Sequence, residues 1–270
     1  MNYLKKARGY DNYNIVFAID KYGHPGQEQL LDIVNEFCVE HLDIASIISE
    51  KQSVGLTRNI LGGYKHCFPM SEDFVIIIED DIRISADFFE YIEHCFENFV
   101  DENTLAITGY CSKVRGTVGE VFQMGHYYSL GTAVLKNKFE KYVLPHCTFD
   151  YFYNRNKYMV NTFPDIMVDR HGVATHNEQA GLHQRVLKHN KFHMIAPHVP
   201  RVQHFGCLGG NRRSKIDNAS FEVQVAALND AMNDASKLAA LETTTFKDYV
   251  ITKDDHEWKQ LRMVSHENIS

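Results

Sequence analysis

The chain has 270 residues, 23% of them charged and 44% hydrophobic, with a formal net charge of −7. That length suits one large globular domain or two small ones, and the acidic balance argues against a nucleic-acid binder that works through bulk electrostatics. No apolar run approaches the ~18 residues of a membrane-spanning helix, and the opening MNYLKKARGY lacks a signal-peptide core.

In chain order, Asn14–Ile19 (NIVFAI) is a short β-rich run that ends in Asp20. GHPGQEQLLDIVNEFCVEHL opens on turn residues and then spaces Leu30, Leu31, Val34, Phe37 and Cys38 as one helical face. LDIASIIS is a second strand candidate. SVGLTRNILGGYKHCF reads as a loop entering a helix with Ile60, Leu61 and Tyr64 on one side. FVIII (74–78) follows, apolar and β-branched enough to predict a strand buried on both faces. In SADFFEYIEHCFENF, Ser85 is the expected cap and Phe88, Phe89, Ile92, Phe96 and Phe99 keep helical spacing. Strands alternating with helices over 10–110 imply a mostly parallel α/β sheet. Farther on, LAITGYC and YYSLGTAVL suggest strands and FEKYVLPHC a short helix. Residues 148–178 resemble a long ordered loop, EQAGLHQRVLKHN a helix, and HMIAPHVPRVQHFG an irregular strand. A longer amphipathic helix is expected over FEVQVAALNDAMNDASKLAAL, and a lone strand over FKDYVIT (246–252).

Glu79, Asp80 and Asp81 stand where the FVIII strand would leave the sheet. Adjacent carboxylates resist ionising together, so a cation is expected to gather there, and oxygen donors suit a hard divalent ion. Ligands of open α/β sheets bind beyond the carboxyl ends of strands, where Asp20 and Glu79–Asp81 would both fall. A plain surface ion-pair patch is the competing interpretation. The six cysteines (38, 67, 95, 111, 147 and 207) form no CxxC pair, which suits reduced thiols and a cytoplasmic location.

The order strand–Asp20, VGLTRNILGGYKHCF and FVIIIEDDIRISADFFEYIEHCF resembles the nucleotide-sugar domain of GT-A glycosyltransferases. In particular it is similar to the inverting alpha-1,3-mannosyl-glycoprotein N-acetylglucosaminyltransferase group, which carries a similar EDD before a DFFEYF-like helix. The likeness is strongest over 54–100, extends over 14–53 and touches 178–206. It implies a GT-A-like nucleotide-diphospho-sugar transferase fold in residues 1–210, with 211–270 as a helical C-terminal extension packed on the same domain. It also implies roles. Asp20 would bind the nucleotide base, Arg58 would belong to the donor pocket, Glu79 and Asp80 would face the ribose and donor sugar, and Asp81 would ligate Mn²⁺ or Mg²⁺.

An inverting transfer needs a carboxylate to take the acceptor hydroxyl proton. The family's acid opens a helix, and Glu178 opens EQAGLHQRVLKHN, with PHVPRVQHFG following at about the expected distance. Asp169 and Asp165 in the preceding loop are its rivals, and Glu departs from the family's usual Asp. A glutamate at a helix start also simply favours the helix dipole. Seven of the 15 histidines (171, 176, 183, 189, 193, 198 and 204) cluster late in the chain but match no zinc signature. Among them His204, just before Phe205-Gly206, is the candidate to touch metal or diphosphate. Gly209–Arg213 is either a lid over the phosphates or a polar loop.

The expected activity is therefore transfer of a hexosyl or N-acetylhexosaminyl group from a nucleotide-diphosphate sugar to a hydroxyl on a glycan or other acceptor. Two alternatives remain: a nucleotidyltransferase, although no Gly-rich basic loop follows the first strand, and a catalytically degenerate nucleotide-sugar-binding module. GT-A domains begin with a strand and an R-P-x-x-L helix, and the resemblance here sets in within that helix, so the first strand is expected either to lie outside this sequence or to be supplied from elsewhere. FKDYVIT is the candidate to fill the sheet position beside NIVFAI, the rivals being a smaller sheet that ends there or a second copy of the chain that covers the edge.

Overall fold

A computed structural model describes residues 1–21, 27–49, 52–111, 117, 119–164, 179–204 and 262–264. In order these form α1 (Asn2–Lys6), β1 (Ile15–Ile19), α2 (Gln27–Glu40), β2 (Ala45–Ser49), α3 (Leu56–Cys67), β3 (Phe74–Ile77), β4 (Ile82–Ile84) and α4 (Phe88–Phe99). Then come β5 (Thr104–Thr108), β6 (Glu120–Met124), β7 (Thr132–Leu135) and α5 (Lys136–Lys138), which runs on through a π turn and a 3-10 turn to His146. The rest are α6 (Phe149–Tyr153), α7 (Arg155–Thr162), α8 (Gln179–His189), β8 (His193–Pro197), β9 (Val202–His204) and β10 (Arg262–Val264).

The main sheet has the order β10-β6-β8-β5-β7-β3. It is mixed, which corrects the expectation of a mostly parallel sheet. β5 pairs with β8, and β10 with β6, in parallel; β3–β7, β7–β5 and β6–β8 are antiparallel. The cause lies in the connections. Parallel neighbours need crossovers of a dozen or more residues, and the chain between β5 and β8 is long, running through β6, β7 and the helices α5–α8. β1 and β2 form a separate parallel ladder, and β4 and β9 an antiparallel one.

Side chains alternate between the two faces of the main sheet. Leu61, Tyr64, Val134, Leu182, Val186 and Met194 fill one core with α3 and α8, while Phe88, Ile92, Ile107, Ala133 and Ile195 fill another under α4. The expected face of α3 is met: Ile60, Leu61 and Tyr64 are buried. On α2 only Val34 and Phe37 are buried, and Leu30 is exposed.

FVIII is not buried on both faces. Val75 alone of β3 is buried, and among the described residues β3 is the last strand of its sheet. Residues 148–163, expected as loop, are largely α6 and α7, with Thr148 Oγ1 accepting from Tyr151 N to start α6. The α4 cap is Asp87 rather than Ser85, and Ser85 Oγ instead donates to Asp87 Oδ1 at 2.5 Å. β1 receives cover from α3, where Asn59 Nδ2 donates to the Ala18 carbonyl at 2.9 Å. FKDYVIT and the long amphipathic segment before it lie outside the described residues. β10, from the same C-terminal region, joins the main sheet at the opposite edge from β3.

Candidate functional site

The register makes β3, β5 and β8 run the same way, so their carboxyl ends share one rim. Glu79–Asp81 form the turn leaving β3 at that rim, closed by Ile82 N donating to the Glu79 carbonyl at 3.2 Å. Glu79 and Asp81 are half-buried and Asp80 is exposed. The turn delivers the chain into β4, whose Ile82 pairs with His204 of β9. Positions 81 and 204, more than a hundred residues apart in sequence, thus come side by side along the backbone. The His204 side chain lies outside the described part of the structure.

Asp20 stands at the carboxyl end of β1 and is 8% exposed. Its Oδ1 accepts from Lys21 N at 2.9 Å and Val54 N at 2.8 Å, and its Oδ2 from Gly55 N at 2.8 Å and Ser53 Oγ at 3.1 Å. These bonds hold the loop that enters α3. Gly55 takes φ +79°, a conformation that β-carbon-bearing residues rarely adopt, and it is this backbone turn that aims the Gly55 N–H at the carboxylate. One turn along α3, the Arg58 guanidinium lies 4.3 Å from the Tyr153 ring centroid and 5.3 Å from that of Phe152. Arg58 is therefore a stacked cation rather than a freely solvated one.

The same helix carries Tyr64 toward Glu79. Tyr64 and Tyr127 are buried in the same core, and burial pushes both above the ordinary tyrosine range, with the Glu79 charge adding to it. Tyr127 stacks on His183 of α8, ring centroids 4.6 Å apart, and its N–H donates to Gln184 Oε1 at 2.6 Å. His183 Nδ1 lies 2.8 Å from the Gln179 carbonyl, and burial holds the imidazole down to about 4, so it is neutral at ordinary pH. Tyr64, Tyr127 and His183 went unremarked in the sequence as chemistry. Only α8's turn-by-turn apolar spacing around His183 hinted that it faced inward.

Arg201 is another residue that local pattern does not single out. It is fully buried, with Nε 3.4 Å from Asp87 Oδ2 and Nη1 donating to the Val199 carbonyl at 2.6 Å. Its sequence signal was a lone arginine between Val199-Pro200 and Val202 in an otherwise apolar run. Glu178, Asp169 and Asp165, the candidates for the base, lie outside the described residues, as does Gly209–Arg213. Among the described residues no three His, Cys, Asp or Glu side chains converge as a ready-made metal cage. No helix among them is long and apolar enough to cross a membrane. The chain matches no known protein-family model, and no curated protein sequence is significantly similar to it.

Proposed function

We propose that the protein transfers a sugar from a nucleotide-diphosphate sugar to a hydroxyl acceptor, with inversion and with the help of a divalent cation. One observation carries the reading: three consecutive carboxylates leave β3 at the rim formed by the carboxyl ends of β3, β5 and β8. The three carboxylates supply oxygen donors, which suit a hard ion such as Mg²⁺ or Mn²⁺. An ion of this kind can be held through as few as one or two protein carboxylates. Asp81 is the residue to hold it, with position 204 alongside. When bound, such a cation offsets the negative charge that develops on the leaving diphosphate.

In this reading Glu79 and Asp80 orient the ribose and sugar hydroxyls. Arg58, immobilised on Tyr153 and Phe152, presents a positive charge near the donor. Asp20 keeps the α3 entry loop in shape; since four donors of the chain already occupy its oxygens, base recognition would use the loop backbone it fixes as much as the carboxylate. Glu178 is the proposed base, with Asp169 the next candidate. The degenerate-module reading draws its support from the same fully engaged Asp20. Calorimetry with UDP and GDP, with and without MnCl₂, followed by a donor-hydrolysis assay, separates the possibilities. Metal-dependent nucleotide binding with slow donor hydrolysis is expected. Binding without any hydrolysis or transfer would favour the binding module, and no metal-dependent binding would end the glycosyltransferase reading.

A further inference from the structure

We infer that the buried Asp87–Arg201 pair is a register lock that holds β9 against β4 and so sets position 204 beside Asp81. This rests on the reading of Asp81 as the cation's residue. The lock is built from both directions. Ser85 N donates to the Arg201 carbonyl at 2.8 Å, continuing the ladder beyond the Ile84–Val202 pair. Arg201 N in turn donates to the Gly109 carbonyl at 2.8 Å, anchoring β9 to the end of β5. The guanidinium reaches Asp87 and the Val199 carbonyl and lies 5.0 Å from the Tyr91 ring centroid on α4. Both charged side chains have 0% exposure.

Val202, next to Arg201, packs closely over two glycines. Val202 Cγ1 would lie 2.6 Å from a Cβ added at Gly131 and 3.0 Å from one at Gly109. β9 is only three residues long, so its ladder alone specifies register weakly, and a one-residue slip would turn position 204 to the opposite face. A buried ion pair contributes little net stability compared with apolar residues of similar volume, but fixing register is the best-attested use of such groups. Asp87 and Arg201 are thus positioning residues, acting on Asp81 and position 204 through the β4–β9 ladder.

The test is the double variant Asp87→Leu/Arg201→Met in the full chain. It should melt close to wild type, yet lose the cross-strand nuclear Overhauser effects between Ile82 and His204 backbone protons. Affinity for UDP or GDP in the presence of MnCl₂ should drop by roughly 10–100-fold, the usual effect of removing an outer-shell support. Retention of the wild-type cross-strand contacts overturns the inference, whatever the nucleotide affinity. Wild-type protein that gains no nucleotide affinity from Mn²⁺ overturns the functional reading instead, while the cross-strand contacts still decide the lock. If the double variant does not fold, Arg201→Lys serves. Amide exchange should then lose protection in β4 and β9 while α4 keeps it, and equal protection in all three would refute the lock.

Discussion

Asp81 makes the sharpest claim at the level of single residues. Asp81→Ala should remove the Mn²⁺-dependent part of nucleotide affinity and leave the melting temperature without metal unchanged or slightly higher, since three neighbouring carboxylates repel. Calorimetry paired with thermal melting checks both halves. Glu178→Gln should lower turnover by roughly 10²–10⁴-fold with donor affinity little altered, because the amide keeps the shape but accepts no proton. A loss confined to Asp169→Asn or Asp165→Asn would move the base into the preceding loop. His183 bears on acid stability. Its folded pKa of about 4 lies below the ordinary 6.5, so the stability it contributes is complete above about 6.5 and is lost as pH falls toward 4. Urea midpoints between pH 7 and pH 4.5 should therefore fall less in His183→Gln than in wild type. His146 and His193, also lowered chiefly by burial, act with the same sign and will keep some slope in the variant. The carboxylate turn was legible from sequence because three acids after an apolar run have few structural excuses. Tyr127 and His183 were not, because their meaning comes from a contact between a loop and α8 about 55 residues further along the chain.

The junction of β4, α4 and β9 is where the elements depend most on one another. Asp87→Ala should cost about 3–5 kcal/mol, as expected when one partner of a buried pair is left with an uncompensated charge. Gly131→Ala should cost about 1–3 kcal/mol, since position 131 combines φ +54° with a Cβ clash against Val202. Urea unfolding measures both, and a change within a few tenths of a kcal/mol in either would show the junction is slack. Helical spacing made α3 and α4 readable, because each keeps an apolar stripe for a whole three turns. β4 and β6 are short or begin in polar residues, so they offer too few alternating positions to stand out, while the irregular strand expected over 193–206 divides into β8 and β9. The misplaced cap has a similar cause: Ser85 and Asp87 are both good caps, and only the buried Arg201 decides what each one bonds.

At the scale of the whole molecule, the rim of strand ends collects what the sequence scattered. β3 delivers the carboxylate turn to the rim it shares with β5 and β8, α3 links Arg58 near β1 to Tyr64 near Glu79, and β9 returns the chain beside Asp81. The α/β class was legible because strands and helices alternate through residue 110. Strand direction was not, because it depends on which neighbours pair, and that is decided by connection length and tertiary packing rather than by local pattern. The account turns on a cation held at Asp81 by a nucleotide diphosphate. Diffraction at the manganese absorption edge, from crystals grown with UDP or GDP and MnCl₂, tests that most directly. The account predicts one anomalous peak within coordinating distance of the Asp81 carboxylate, bridged to the diphosphate. A nucleotide bound with its manganese elsewhere, or bound at the rim with no manganese at all, would contradict it.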